Sequence, residues 1–226
     1  MKAVILAGGL GTRLRSVISD VPKPMATIMG KPFLELQIRE LKNQNITDII
    51  LAVHYMADTI KSYFGKGHRW GVDITYSEEE TPLGTAGAIK KAEKYLDDTF
   101  FVLNGDTYSK IGLDDLLQFH KSKNSDFTIS LTTSINPTRY GSVKVENEKI
   151  KEFSEKIETD NHLINSGVYV LSPIIFQDIE PDVNISLEKH IFPLLAKDER
   201  LYGYKYNGYF MDIGLPETYY QFKRDL

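Results

Sequence analysis

Apolar segments that suit buried strands alternate with helical patterns along the first half of the chain. Residues 2–7 form a continuous apolar run, which is typical of a strand buried on both faces of a parallel sheet. The patterns predict strands at 2–7, 48–53, 72–76 and 99–103 and helices at 33–46, 57–64 and 85–96. This alternation predicts an α/β fold in which helices cover both faces of a mainly parallel sheet.

The second half of the chain is less regular. Its patterns predict helices at 113–121, 185–196 and 216–224 and strands at 127–133, 141–145, 148–153 and 164–171. No internal repeat, linker or low-complexity tract interrupts it. We therefore expect a single domain over residues 1–226.

Composition and charge argue against several classes of function. Hydrophobic residues make up 42% and charged residues 26%, which is ordinary for a soluble globular protein. The net charge of −4, without any basic run, gives no electrostatic reason to expect a nucleic-acid partner. No apolar stretch approaches the roughly 18 residues of a membrane span. The absence of cysteine excludes disulfides, thiolate metal sites and a cysteine nucleophile, and it suits a cytoplasmic protein.

A glycine-rich loop, LAGGLGTRL at residues 6–14, follows the first predicted strand. Glycines let backbone N–H groups approach an anion closely, and Arg13 adds a cation. Ligands of parallel sheets bind beyond the carboxyl ends of the strands, so the loop predicts a phosphate site. It lacks the lysine of a Walker loop, and the third glycine of a dinucleotide fingerprint would fall at Leu14. A plain glycine-rich turn remains the alternative for the loop taken alone.

A second cation, Lys23, lies in the stretch PKPM that follows this loop. The flanking prolines, Pro22 and Pro24, predict an extended backbone around Lys23. A lysine held in this way is poised to contact a ligand, although a lysine taken alone is more often a solvated surface residue.

The loop and PKPM together resemble the signature of the sugar-1-phosphate nucleotidyltransferases, which join a nucleoside triphosphate to a sugar 1-phosphate and release pyrophosphate. Further blocks similar to that family follow in order: PLGTAGAI at 82–89, LNGD at 103–106, EFSEK at 152–156, NSGVY at 165–169 and MDIGLPE at 211–217. The resemblance covers nearly the whole chain. It implies a three-layer α/β/α Rossmann-like fold with a mainly parallel mixed sheet. It also implies a nucleotide-binding half at about 1–110 and a sugar-binding half at about 111–226.

The resemblance also implies roles for charged residues. Arg13 would hold the leaving phosphates, Lys23 would bridge the α-phosphate and the sugar phosphate, and Asp106 and Asp212 would bind Mg²⁺. Taken singly, either aspartate could be a helix cap or a turn residue. The implied nucleotide-binding positions are Leu6, Ala7, Gly8, Gly9, Gly11, Thr12, Arg13, Lys23, Glu79, Pro82, Gly84, Thr85 and Gly105.

The sugar side is implied by the later blocks. Two departures from the family pattern lie beside it, because Ile157 stands where proline is usual and Leu215 where threonine is common. The implied sugar-binding positions are Asn104, Tyr140, Gly141, Glu155, Lys156 and Asn165.

The acidic run SEEET precedes the PLGTAGAI block and bears on the choice of base. Guanine presents two adjacent donors, and one carboxylate can accept from both. Glu79 is therefore the candidate for guanine selection, with Glu80 as an alternative, and a merely solvated acidic loop as a third possibility. The expected nucleotide is GTP.

The stretch GTRLRSVISDVPKPMA resembles the bacterial enzymes that make GDP-D-glycero-α-D-manno-heptose, which serves capsule or lipopolysaccharide synthesis. The chain ends without the hexapeptide repeats common in mannose-1-phosphate guanylyltransferases, so heptose 1-phosphate is the expected substrate. Mannose 1-phosphate, or a uridylyl or thymidylyl transfer to a hexose 1-phosphate, remains an alternative. The oligomeric state, monomer or small homo-oligomer, stays open.

Rival classes of protein fit less well. A metal-dependent glycosyltransferase typically shows Asp-x-Asp where this chain has Asn104, Gly105 and Asp106. A non-catalytic relative of the same fold should have lost a charged site residue, and none is missing.

Overall fold

The computed structural model describes residues 1–134, 137–155 and 162–226, and its strands and helices alternate as the sequence predicts. The strands are β1 (Lys2–Leu6), β2 (Thr27–Ile28), β3 (Lys31–Pro32), β4 (Asp48–Val53), β5 (Asp73–Glu78), β6 (Phe100–Asn104), β7 (Thr107–Ser109), β8 (Phe127–Thr133), β9 (Gly141–Glu146), β10 (Lys149–Glu155), β11 (Leu163–Leu171), β12 (Leu201–Lys205) and β13 (Phe210–Asp212). The helices are α1 (Phe33–Asn43), α2 (Ala57–Phe64), α3 (Gly84–Lys91), α4 (Leu113–Ser122), α5 (Phe192–Lys197) and α6 (Pro216–Asp225).

Within the described ranges, nine strands form one sheet in the order β5-β4-β1-β6-β11-β8-β12-β10-β9. The strands of the first half, β5, β4, β1 and β6, are parallel, with Lys2 opposite Asp48 and Ala3 opposite Phe101. Beyond β6 the pairs are antiparallel except for β8 with β12. The carboxyl ends of the parallel strands therefore share one edge, which is where ligands of such sheets bind.

Alternate side chains of β1 enter two separate cores. Ala3 and Ile5 pack with apolar residues of α1, α2 and α4, whereas Val4 packs with residues of α3 and α5. This follows from the two-residue period of a strand. The result is a sheet between two helical layers, so the predicted three-layer α/β/α architecture with a mixed sheet is confirmed.

A third, smaller core joins the short strands to the C-terminal helix. Phe222 of α6 packs against Phe33 at the start of α1, and Met211 of β13 belongs to the same cluster. Strand β13 pairs with β7, with Asp212 opposite Thr107. Because of this pairing, Asp212 near the end of the chain lies close to the carboxyl end of β6.

Two predicted elements are wrong in part. The helix expected at 185–196 begins only at Leu187, as a π-helical turn (Leu187–Ile191), and α5 follows. Pro193 lacks the N–H that would continue a regular ladder at this point. The helix expected at 85–96 ends at Lys91 and is followed by a 3₁₀ turn (Glu93–Tyr95).

The sequence predicts that Tyr202 and Tyr204 are half-buried strand residues, and both lie in strand β12. Gly203 lies at its centre, and glycine argues against a strand when only the local sequence is considered. In the sheet, a Cβ atom at this position would collide with the side chain of Leu131 on β8. The glycine is thus explained by a neighbour that is remote in sequence.

A search of the described residues for a helix of sufficient length and apolarity to span a bilayer found none.

Candidate active site

A cavity of about 450 Å³ opens at the carboxyl ends of the parallel strands, beside the ends of β1, β5 and β6. It is of a size usual for small-molecule sites. The predicted residues that line it are Leu6, Gly8, Gly9, Arg13, Lys23, Glu79, Pro82, Gly84, Thr85, Asn104, Gly105, Asp106, Tyr140, Gly141, Glu155, Asn165 and Asp212. The cavity thus brings together residues as far apart in sequence as Leu6 and Asp212.

The glycine loop forms one wall of this cavity. In the described part of the chain, the backbone N–H groups of Gly8 and Gly9 meet no acceptor. A Cβ atom on Gly8 would lie 2.7 Å from a carboxylate oxygen of Glu79 and 3.2 Å from the Cβ of His54, so a larger residue does not fit. Free amides beside the exposed Arg13 form a surface suited to an anion.

Three predicted nucleotide-binding residues lie off the cavity wall. Ala7 is fully buried, and its N–H donates to the Ala52 carbonyl at 2.8 Å. Gly11 adopts a left-handed backbone conformation that directs the chain into the 3₁₀ helix Thr12–Leu14. Thr12, the first residue of this helix, is exposed. These residues shape the loop rather than line the cavity.

Lys23 reaches the cavity but not on an extended backbone. It begins a 3₁₀ turn, Lys23–Met25, in which the Met25 N–H donates to the Pro22 carbonyl at 2.7 Å. The expected extension around Lys23 was therefore wrong. The turn tolerates Pro24 because its hydrogen bonds are donated by the two residues after the proline. The Lys23 ammonium forms an ion pair with Asp106.

The turn that carries Asp106 is held from behind by Gln37, a residue that sequence reasoning missed. The buried Gln37 amide donates to the carbonyls of Asn104 and Thr107, each at 2.8 Å. Gln37 lies inside α1, and only the folded packing of α1 on β6 brings its amide to this turn. No local sequence signal could have identified it.

Asp212 lies beside this turn because the Ile213 N–H donates to the Asp106 carbonyl at 2.9 Å. The Asp212 carboxylate is 8% exposed and accepts from the Tyr140 hydroxyl at 2.5 Å and from Arg139 Nη2 at 3.1 Å. Burial, followed by the charge of Asp212, raises the pKa of the Tyr140 hydroxyl. Arg139 was not predicted, although its place directly before the predicted pair Tyr140 and Gly141 was a usable signal.

Asp106 and Asp212 form a plausible donor set for Mg²⁺. Magnesium prefers oxygen ligands and commonly takes one or two carboxylates together with phosphate oxygens and waters. No group of three or more acidic or histidine side chains that could hold a metal occurs in the described residues, so phosphate and water would complete the shell. Both carboxylates are paired with cations here, Asp106 with Lys23 and Asp212 with Arg139.

Glu79, which also lines the cavity, is buried with 6% exposure, whereas Glu80 is exposed and does not line the cavity. One Glu79 oxygen accepts from the Leu83 N–H at 2.8 Å. Burial raises the pKa of the Glu79 carboxyl, while the Leu83 N–H and His54 partly offset this effect. Burial of the ionised Glu79 carboxylate lowers the stability of the fold. Groups that carry such a cost in a cavity are typical of functional sites.

Polar side chains of β6 and β11 meet at a further wall. Asn165 donates to the Tyr169 hydroxyl at 2.9 Å, and this hydroxyl donates to Asn104 at 3.4 Å. Glu155 lines the cavity at the end of β10. Lys156, the next predicted residue, lies outside the described residues.

The remaining wall is formed by the start of α3 and the segment that precedes the π-helical turn. The carbonyl of Ile185 accepts from the N–H groups of Ala86 at 2.9 Å and Gly87 at 3.2 Å. The lining residues that the sequence did not predict are Leu10, Pro24, Ala88, Thr107, Arg139, Asn184, Ser186, Glu188, Lys189 and Gly214. Asn184 and Ser186 precede the π-helical turn and Glu188 and Lys189 lie within it, so this segment, expected as the start of a regular helix, forms cavity wall instead.

The chain is similar to known nucleotidyl transferases. The family model described as nucleotidyl transferase matches residues 2–226. A Campylobacter jejuni protein named D-glycero-alpha-D-manno-heptose 1-phosphate guanylyltransferase is 43% identical, and the match covers 98% of each chain. A mannose-1-phosphate guanyltransferase of Yarrowia lipolytica is 42% identical over 97% of this chain but only 62% of its own length.

A solved structure is similar to this chain in both fold and sequence. The crystal structure of HddC from Yersinia pseudotuberculosis, complexed with GMP-PN, has a TM-score of 0.85 and 37% identity, covering 99% of this chain and 98% of that chain. The agreement in fold, in sequence and in the ordered blocks extends over the full chain. The chain therefore belongs to the nucleotidyl transferase family.

Proposed function

We propose that the protein transfers GMP from GTP to D-glycero-α-D-manno-heptose 1-phosphate, giving GDP-heptose and pyrophosphate. The observation that carries this proposal is one cavity whose wall includes a buried carboxylate, Glu79, and the paired charges of Lys23 and Asp106. The end-to-end similarity to the Campylobacter jejuni guanylyltransferase supports the same assignment.

The reaction is a direct displacement at the α-phosphorus of GTP. A phosphate oxygen of the sugar 1-phosphate forms the new bond, and the bond from the α-phosphorus to the oxygen bridging it to the β-phosphorus breaks. The nucleophile needs no general base, since a phosphate monoester with its second pKa near about 6 is already an anion at neutral pH. Catalysis then consists mainly of alignment and stabilisation of negative charge.

The glycine loop and two cations would perform that stabilisation. The free N–H groups of Gly8 and Gly9, with Arg13, hold the β- and γ-phosphates that leave as pyrophosphate. Lys23 leaves its carboxylate partner and contacts the α-phosphate and the sugar phosphate together. This keeps the two anionic reactants close in spite of their repulsion.

Asp106 and Asp212 would hold Mg²⁺. When bound, the ion neutralises phosphate charge and orients the reacting groups. Asp212 pairs with Thr107 across β13 and β7, and Asp106 directly precedes Thr107, which supports the proposal that both carboxylates serve one ion. Gln37 would orient the turn that carries Asp106. Tyr140 would orient the Asp212 carboxylate.

Glu79 would select guanine. Its carboxylate can accept from the adjacent N1–H and 2-amino groups together, whereas UTP and dTTP present a single N–H donor between two carbonyl oxygens, one of which would face and repel the carboxylate. The exposure of Glu80 outside the cavity favours Glu79 over that alternative.

The sugar would lie among Asn104, Tyr140, Gly141, Glu155 and Asn165, with Lys156 contacting its phosphate. Carboxylate and amide groups are suited to hydroxyl donors and acceptors of a neutral sugar ring. GDP-heptose made in this way in the cytoplasm of a bacterium would supply a glycosyl donor for capsule or lipopolysaccharide.

A mannose-1-phosphate guanylyltransferase is the second candidate, favoured by the 42% identity to the Yarrowia lipolytica protein. Measuring pyrophosphate release with Mg²⁺ separates the candidates when each common nucleoside triphosphate is combined with heptose, mannose and glucose 1-phosphates. Release with GTP and heptose 1-phosphate alone supports the proposal. Release with GTP and mannose 1-phosphate instead transfers the assignment to the second candidate, and a folded protein without any release refutes both.

A further inference from the structure

One carboxylate of the cavity, Glu188, is not used by the proposed function. Its Oε2 accepts from the Thr85 hydroxyl at 2.7 Å and from the Ser186 hydroxyl at 2.8 Å. Its Oε1 has no hydrogen-bond donor among the described residues. The side chain is thus oriented by two hydroxyls and has one acceptor oxygen left at the cavity wall.

Lys189 also lines this wall, but two of the backbone amides at the start of α3 cannot bind a phosphate. The N–H groups of Ala86 and Gly87 at the start of α3 are occupied by the Ile185 carbonyl. The Thr85 hydroxyl accepts from the Leu187 N–H at 2.8 Å while donating to Glu188. An acceptor carboxylate beside occupied amides repels an anion and suits a neutral group that donates hydrogen bonds.

The π-helical turn that carries Glu188 packs against β10, which ends at Glu155, and Phe192 just beyond this turn contacts the Tyr169 ring, with 5.3 Å between the ring centroids. Burial, and after it the charge of Glu188, holds the pKa of the Tyr169 hydroxyl above its ordinary value. That hydroxyl joins Asn165 to Asn104, both assigned to the sugar. Glu155, from the other wall, raises the pKa of the same hydroxyl to a lesser extent. Two carboxylates therefore approach the sugar region from different elements.

We propose that Glu188, oriented by Thr85 and Ser186, accepts hydrogen bonds from hydroxyls on the exocyclic carbons of the sugar and so selects heptose over hexose 1-phosphates. This inference rests on the proposed function. The ring hydroxyls are assigned to Glu155 and Asn165, and the anomeric phosphate lies toward Asp106. The exocyclic chain is the remaining part of the sugar that carries donors, and a heptose has one more hydroxyl there than mannose.

Glu188→Gln tests the proposal, because glutamine preserves the shape but loses the charge. We expect the KM for heptose 1-phosphate to rise about 10- to 100-fold, as for a lost hydrogen bond to a charged group, with a small change in kcat. The KM for mannose 1-phosphate should change less, so the preference for heptose falls. Calorimetric binding of each sugar 1-phosphate, with a non-reactive GTP analogue present, gives the same comparison without turnover.

Two further variants serve as a control and as an independent test of the orientation of Glu188. Glu180→Gln, an exposed glutamate of the preceding segment that does not line the cavity, is the matched control and should leave the preference unchanged. Thr85→Val removes one orienting hydroxyl and should produce the same selective loss in weaker form. Equal losses for both sugars in Glu188→Gln would overturn the proposal, as would an unchanged preference.

The ribose of GTP is the competing source of hydroxyl donors. If the penalty of Glu188→Gln disappears when GTP is replaced by its 2′- or 3′-deoxy form, Glu188 binds the ribose and the proposal is wrong. A wild-type protein that does not use heptose 1-phosphate would instead refute the proposed function, so the two failures are distinguishable.

Discussion

Glu79→Gln separates a functional carboxylate from a structural one. A carboxylate accepts from both guanine donors, whereas glutamine presents one acceptor and one NH₂ group, which faces a guanine donor unfavourably. A hydrogen bond to a charged group contributes about 1.5–3 kcal/mol, so the kcat/KM for GTP should fall about 10- to 150-fold. The ratio of GTP use to UTP use should fall at least as much, measured by pyrophosphate release with each nucleotide.

The same substitution should stabilise the fold. Burial raises the pKa of Glu79, so the folded protein binds this proton more tightly than the unfolded chain does. The stability linked to that proton is present at low pH and is lost as pH rises from the ordinary glutamate pKa through the raised one. At neutral pH Glu79→Gln therefore melts at a higher temperature than wild type, and the difference narrows in acid.

Glu80→Gln is the matched control, since Glu80 is adjacent but exposed. It should change neither nucleotide preference nor melting temperature. An unchanged GTP-to-UTP ratio in Glu79→Gln, or a loss that appears only in Glu80→Gln, would refute the assignment of guanine selection to Glu79.

Further predictions concern the metal turn and the fold. Asp106→Asn should lower Mg²⁺-dependent turnover at least about 100-fold by removing a charged ligand, and near-normal turnover would take Asp106 out of the metal site. Gln37→Leu should raise the Mg²⁺ concentration needed for half-maximal rate. The control Gln44→Leu should not, because the Gln44 amide forms hydrogen bonds with the backbone of Ile111 and Leu113 instead. Equal effects of the two variants would contradict a role of Gln37 in positioning Asp106. Burial lowers the pKa of His120 to about 4, so stability in urea should decline as pH falls from about 6.5 toward about 4, by up to about 3 kcal/mol. His120→Asn should flatten that decline, and an equally steep one would exclude His120 as its source.

The parallel half of the fold could be predicted because its signals are local. The apolar run of β1 and the glycine that ends α2 at Gly65 are visible within a few residues of sequence. The antiparallel half depends on pairings between distant segments. In strand β12, Tyr202 and Tyr204 indicate a strand locally, whereas the reason for Gly203 is the side chain of Leu131 on a neighbouring strand.

The candidate site divides in the same way. Arg13, Lys23, Asp106 and Asp212 were predicted from ordered blocks of sequence, and all four line one cavity. Gln37, Arg139 and Glu188 were not, because each has a hydrogen-bond partner that is remote in sequence. Gln37 illustrates this, as its amide bonds a turn 67 and 70 residues away in sequence.

The most direct test of the account is the identity of the product formed under competition. The protein is incubated with Mg²⁺ and an equal mixture of the common nucleoside triphosphates and heptose, mannose and glucose 1-phosphates, and the nucleotide sugars are identified by mass spectrometry. The account predicts that GDP-heptose predominates, accompanied by equimolar pyrophosphate. A product dominated by another base, or by GDP linked to a hexose, would contradict it.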